Sequence, residues 1–175
     1  MSVVDEGPIA EPPRIRIETI AGVGSLLFVI GWIDREVREA RAVGRGGPGL
    51  LARDFHPRDD VAAAFGLPFG RSYGFALIVG AEGGRPASLE IETEGGVHEV
   101  VLADHPVAPP APDLLATRPK VAAALARILE DRDPNAPDFG ALSRLVPDSG
   151  EVCPAGRGYI ETAIQVLPSG EILVT

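Results

Sequence analysis

Cysteine occurs once in 175 residues, as Cys153, which excludes an internal disulfide framework and a cysteine-rich zinc site. Lysine is nearly absent as well. Of the 16 basic side chains all but Lys120 are arginine. Aromatics make up only 5% of the chain, so most of them are needed to fill the core. Basic charge is the minority, 16 groups against 25 acidic ones, for a formal net charge of −9. Such a balance lacks the basic face that phosphate backbones require, and nucleic acid is not an expected partner. Long apolar runs are missing too. The most apolar stretch, residues 23–33, contains glycines and falls short of the roughly 20 apolar residues of a membrane-spanning helix. The first ten residues carry Asp5 and Glu6 without a basic cluster, unlike a signal peptide, and a cytoplasmic location is the expectation.

Glycine and proline are abundant, 38 of 175 residues together, and 45% of the chain is apolar. That mixture predicts many short strands joined by turns around a core. After a loose acidic tail over residues 1–13, Ile15 and Ile17 alternate with Arg14, Arg16 and Glu18, the period of a half-buried strand. A turn at "AGVGS" leads into a β-branched central strand over residues 26–33, where Gly31 permits close approach and Trp32 is expected in the core. Shorter strands follow over residues 39–43, 50–55, 72–79, 88–93 and 98–103, separated by turns such as "GRGGPG", "AEGGRP" and "EGG". Seven strands with turn signals every 8–12 residues or so predict an Ig-like antiparallel β-sandwich over residues 14–103. A short inserted helix, "DVAAAFG", has Asp59 or Asp60 as its expected cap and Gly66 as its stop.

Five prolines in residues 104–119 predict a stiff, extended linker at the sandwich edge. Two amphipathic helices are expected over residues 120–147. One carries Val121, Leu125 and Ile128 on one face behind Thr117 and Pro119, and the other is capped by Asp138. Such helices must lie on the sandwich or on a partner. The terminal stretch 158–175 reads as a β-hairpin. It repeats the first one: Ile160, Glu161 and Thr162 match Ile17, Glu18 and Thr19, and the last four residues match residues 27–30. The match in polar positions points to the start of a second, truncated sandwich; the other reading completes the first sheet.

No catalytic motif stands out. His56, His98 and His105 lie beside strand ends or prolines, outside any metal-ligand spacing. Ser25, Ser72, Ser88 and Ser149 lack a nucleophile-elbow context, and Cys153 has no basic neighbour in "EVCPAGRG". The glycine-rich turns lack the Gly-Lys-Ser/Thr of a phosphate loop. Asp34, Asp54, Asp59 and Asp60 fall at strand ends or before the short helix, where a sandwich edge could gather them around a metal; capping and turn bonding account for them equally. Neither a cofactor nor a metal is expected. Among Trp32, Phe55, Phe65, Phe69, Tyr73, Phe75, Phe139 and Tyr159, most must serve the core. Phe69 and Tyr73 flank "GRS" and, with Arg71, form the one patch combining aromatic, cationic and loop character. These three are the candidate binding residues.

The strings "FVIGWID" and "HPRDDVAAAFGLPFGRSYGF" resemble a β-sandwich module of bacterial surface-polysaccharide proteins, found beside family 2 glycosyltransferase domains. The positions that carry the resemblance are Gly31, Trp32, Arg58, Asp60, Val61, Phe65, Gly74 and Phe75, and Asp59 stands where that pattern usually has proline. The resemblance implies an accessory, non-catalytic recognition or scaffolding module that binds glycan or protein, with any glycosyltransferase activity in a downstream domain of the full-length protein. The alternative is a structural or oligomerising domain docking a neighbour through the helices.

Overall fold

The predicted alternation becomes strands almost where it occurs. The computed structural model describes residues 11–44, 49–82, 84–147, 165–166 and 172–173. Seven strands follow in order: β1 (Ile15–Val23), β2 (Leu26–Ile33), β3 (Val37–Val43), β4 (Leu50–Pro57), β5 (Ser72–Gly80), β6 (Ser88–Thr93) and β7 (Gly96–Val101). The other described elements are three helices, α1 (Asp59–Phe65), α2 (Pro119–Glu130) and α3 (Phe139–Ser143), and after them the two-residue strands β8 (Gln165–Val166) and β9 (Ile172–Leu173). The strands β8 and β9 pair antiparallel as a two-stranded sheet. Expectations for most of the 1–13 tail, the 45–48 turn, Ser149, Cys153, Tyr159 and the 160–162 repeat lie outside the described residues.

One sheet has the order β1-β2-β5-β4 and the other β3-β6-β7, with every named pairing antiparallel. This is the order of a constant-type immunoglobulin domain, four strands facing three. Between the sheets lie Val29, Ile33, Phe75, Leu77, Leu89, Ile91 and Leu102, all buried. Gly31 is required in this layer. A Cβ there would stand 2.7 Å from the Phe75 ring and 2.3 Å from the Arg16 carbonyl oxygen.

The outer face of the four-stranded sheet is also apolar and carries a third layer. Phe28, Ile30 and Ile78 on the sheet pack with Leu115, Val121, Leu125 and Leu142. The stripe Val121, Leu125 and Ile128 therefore faces the chain's own sheet. Each fully buried side chain of this size contributes about 1.5–3 kcal/mol relative to exposure, which explains how a 12-residue helix holds its place. The proline-rich segment is not the extended linker that its composition predicts: residues 112–117 run through successive turns closed by bonds such as Leu114 N–H to the Ala111 carbonyl, because Leu114 and Leu115 turn inward to pack with the helical layer. Ala108 exchanges backbone hydrogen bonds with β1, donating to Ile20 and accepting from Gly22 at 3.0 Å each. It thereby covers part of that sheet edge. The helical layer is tied back by Arg132, which donates to the Ser25 hydroxyl at 2.8 Å and to the Asp138 carboxylate. Asp138 stands at the N-cap of α3 but makes no side-chain cap bond; its carboxylate serves Arg132 instead.

Two local expectations change. Asp59 and Asp60 are the first helical residues of α1, with Arg58 at the N-cap, while Gly66 ends the helix in the left-handed region at φ 65° as expected. Trp32 is half-buried, outside both main core layers. It packs on α1, with ring centroids 5.5 Å from Phe65, because its end of the sheet face is covered by this short helix only.

Candidate functional site

In an immunoglobulin topology the loops cluster at the two ends of the sandwich. At one end the β2–β3 connection, the α1–β5 loop and the β6–β7 turn come together, and the candidate residues lie there. Arg71 joins all three. Its guanidinium is 3.4 Å from Glu36 of the first loop and 3.8 Å from Glu94 of the third. Phe69 stands beside it with 67% of its surface exposed, the most exposed large apolar side chain among the described residues. Gly70, at φ 78°, provides the left-handed turn that carries the chain from Phe69 to Arg71.

Tyr73 departs from the expectation of a contact residue. It is 3% exposed, and its hydroxyl donates to the Pro68 carbonyl oxygen at 2.9 Å. Burial pushes its phenol pKa above the ordinary range, so it stays a neutral donor. The reason is packing. As the second residue of β5, Tyr73 has already entered the sheet, where Val61 and Ala62 of α1 close over it. It holds the loop that presents Phe69. Of the three predicted binding residues, two reach the surface and one supports them.

The aspartates are not gathered. Among the described residues no group of three or more metal-capable side chains forms. Asp34 accepts from the Arg14 backbone and pairs with Arg35. Asp60 pairs with Arg58, which holds its carboxyl down at about 2. Arg58 also forks onto both carboxylate oxygens of Glu18 at 2.9 and 3.0 Å, and these partners raise its own pKa further. His98 meets the Thr93 hydroxyl at 3.1 Å, and the His105 carbonyl oxygen accepts from Arg85.

Asp54 and His56 were separate candidates in the sequence and are neighbours in the structure. They lie on the helix-facing side of β4, in step with Ala52. His56 Nδ1 is buried without a hydrogen-bond partner, 3.6 Å from the Asp54 carboxylate. Across the sheet His56 pairs with Gly74, and Gly74 with Trp32. A Cβ on Gly74 would stand 2.4 Å from His56 Nε2 and 2.8 Å from Arg58 Cγ, so the glycine is what lets both side chains lie over the sheet. Burial lowers the His56 pKa below its ordinary 6.5, outweighing the opposing pull of Asp54. These groups border an open cleft of about 570 Å3, whose other wall is the start of α2 with Thr117, Arg118 and Lys120. Sequence reasoning missed this cleft. Lys120 was visible as the one lysine, but nothing local connects it to Asp54, 66 positions earlier, where its ammonium stands 3.4 Å from the carboxylate.

Gly31 accommodates Phe75 between the sheets, Gly74 accommodates Arg58 beside the cleft, and Trp32 packs against Phe65 with the rings tilted by 42°. No family model, no curated protein and no solved structure matches the chain. Among the described residues no helix is long and apolar enough to cross a membrane.

Proposed function

We propose that this chain is a non-catalytic recognition module that binds a saccharide through the loop end centred on Phe69 and Arg71. The observation that carries this reading is the presentation of Phe69, 67% exposed on a loop braced by Tyr73 and by the Arg71 pairs to Glu36 and Glu94. An aromatic face in water beside planar polar side chains suits a sugar: the apolar ring face stacks, and hydroxyls bond to the guanidinium and carboxylates. None of these groups forms a nucleophile–base pair. The polysaccharide-module resemblance points the same way, toward an accessory role beside a glycosyltransferase domain. The structural alternative is less well supported, because the helical stripe it requires is packed against the chain's own sheet.

A glycan array followed by titration calorimetry tests this, with Phe69→Ala as the comparison. The expected outcome is a saccharide ligand whose affinity falls at least tenfold in the variant, since a stacked aromatic is a typical binding hot spot worth about 2 kcal/mol or more. A protein partner captured through Phe69 would replace the saccharide in this reading. Equal binding by the variant would move the site elsewhere.

A further inference from the structure

The outer face of the four-stranded sheet is covered by two separate pieces, α1 at the Trp32 end and the α2–α3 layer over Phe28 and Ile78. The cleft is the gap between them. We propose that this gap is a second binding site, independent of the loop end, for a small ligand bearing an oxyanion, held by Lys120 and Arg118.

Three cationic side chains line it, from the loop before α1 (Arg58), the residue before α2 (Arg118) and α2 itself (Lys120). They face two carboxylates of the lining, Glu18 and Asp54, with Asp60 beside Arg58, so the charges balance and what counts is which donors stay unpaired. The acids of the cleft are accounted for. Glu18 gives both oxygens to Arg58, whose remaining donors go to Asp60. Asp54, with its side chain 10% exposed, is flanked by Lys120 and by His56 Nδ1. Donors remain over. The Lys120 ammonium has three protons and one carboxylate neighbour, and three-quarters of the side chain is open to solvent. Arg118 lines the cleft and gives Nη1 to the Leu114 carbonyl oxygen and the Thr117 hydroxyl; its Nε is enclosed by protein, so it serves a ligand through the charge of its guanidinium. A donor-rich cleft of about 570 Å3 falls within the size of ordinary small-ligand sites. The complementary ligand supplies acceptors and negative charge, as a carboxylate or a phosphate does.

Amide NMR titration of the full chain with inorganic phosphate, with galacturonate, and with galactose as the uncharged counterpart tests the site. Saturable shifts of the Gly74, His56 and Lys120 amides are expected with one or both anions and not with galactose. Tighter binding of galacturonate identifies a sugar acid, and tighter binding of phosphate a phosphorylated ligand. Lys120→Ala, at an exposed position, should fold normally and weaken binding about tenfold, the usual scale of a charge-assisted hydrogen bond. Arg118→Gln should act in the same direction, and added salt should weaken binding. Galactose shifting the same amides as strongly, absence of saturation with both anions, or unchanged affinity in folded Lys120→Ala would each overturn the proposal. Phe69→Ala should leave these titrations unaltered, which separates this site from the loop end.

Discussion

On one face of the four-stranded sheet, Val29, Phe75 and Leu77 meet Leu89 and Ile91 of the second sheet, and Leu102 just after it, in a continuous apolar layer. On the opposite face, Phe28, Ile30 and Ile78 are covered by helices in pieces. The strands are the same, and the neighbours differ in shape. A second sheet covers its partner evenly, because both surfaces are pleated with the same spacing. A helix covers only a stripe. Two helical pieces therefore leave sheet surface between them, and at that place the sequence changes from Ala52 to Asp54 and His56 along β4 and offers Gly74 on β5. The lesson is that a face covered piecemeal can hold polar chemistry that a face covered by a sheet excludes.

The comparison is sharpened first by truncating each cover. Leu125→Ala on the helical side and Leu89→Ala on the sheet side remove fully buried side chains, and each should cost about 2–5 kcal/mol in urea unfolding. If the helical layer were only loosely docked, Leu125→Ala would cost under about 1 kcal/mol and the two faces would not be energetic equals.

The uncovered gap has its own test. Gly74→Ala drives a Cβ into His56 and Arg58, and a loss of about 1–3 kcal/mol is expected from such overpacking. Adding His56→Ala should recover part of it, as expected for neighbours that share one space. No recovery would mean that the strain lies in β5 itself.

Acid should also act on this face. Because burial lowers the His56 pKa, the unfolded chain takes up a proton near pH 6.5 that the native chain takes up only at lower pH. The His56 contribution is thus fully present above 6.5 and is lost as pH falls through the window down to the folded value. A His56→Gln variant should flatten that part of the stability–pH curve measured by thermal unfolding. An unchanged slope would assign the acid sensitivity to other groups.

The smallest effect belongs to the exposed loop end. Phe69→Ala should alter stability by less than about 0.5 kcal/mol in the same urea measurement, since two-thirds of that surface already faces water. A larger loss would show that the ring braces the loop and would weaken its reading as a ligand platform.

Much of this architecture was legible before the structure. The alternation at Ile15 and Ile17, the β-branched run of β2 and the glycine turns placed seven strands and two sheets, because side-chain period and turn chemistry are local properties. Gly66 marked the end of α1 for the same reason. Phe69 and Arg71 were also legible as a loop patch. Tyr73 was not: the strand start at residue 72 agrees with the expectation, but that α1 closes over this end of β5 and buries the ring depends on long-range packing. Trp32 misled in the opposite direction: its size argues for the core, but its position on the sheet face determines what covers it.

The cleft shows where local reasoning stops. Glu18, His56 and Lys120 come from β1, β4 and α2, and none forms a spaced motif with another. Their meeting depends on which strand lies at the sheet edge, which face the helices cover and where Gly74 leaves room. The amino-acid order alone determined the strands, turns and amphipathic helices, since these follow from periodicity and backbone preference within a few residues. Only the tertiary structure decided that the apolar helix stripe lies on its own sheet, that Phe69 stays in water, and that the charges of three distant segments share one gap, because those outcomes depend on long-range packing of whole layers.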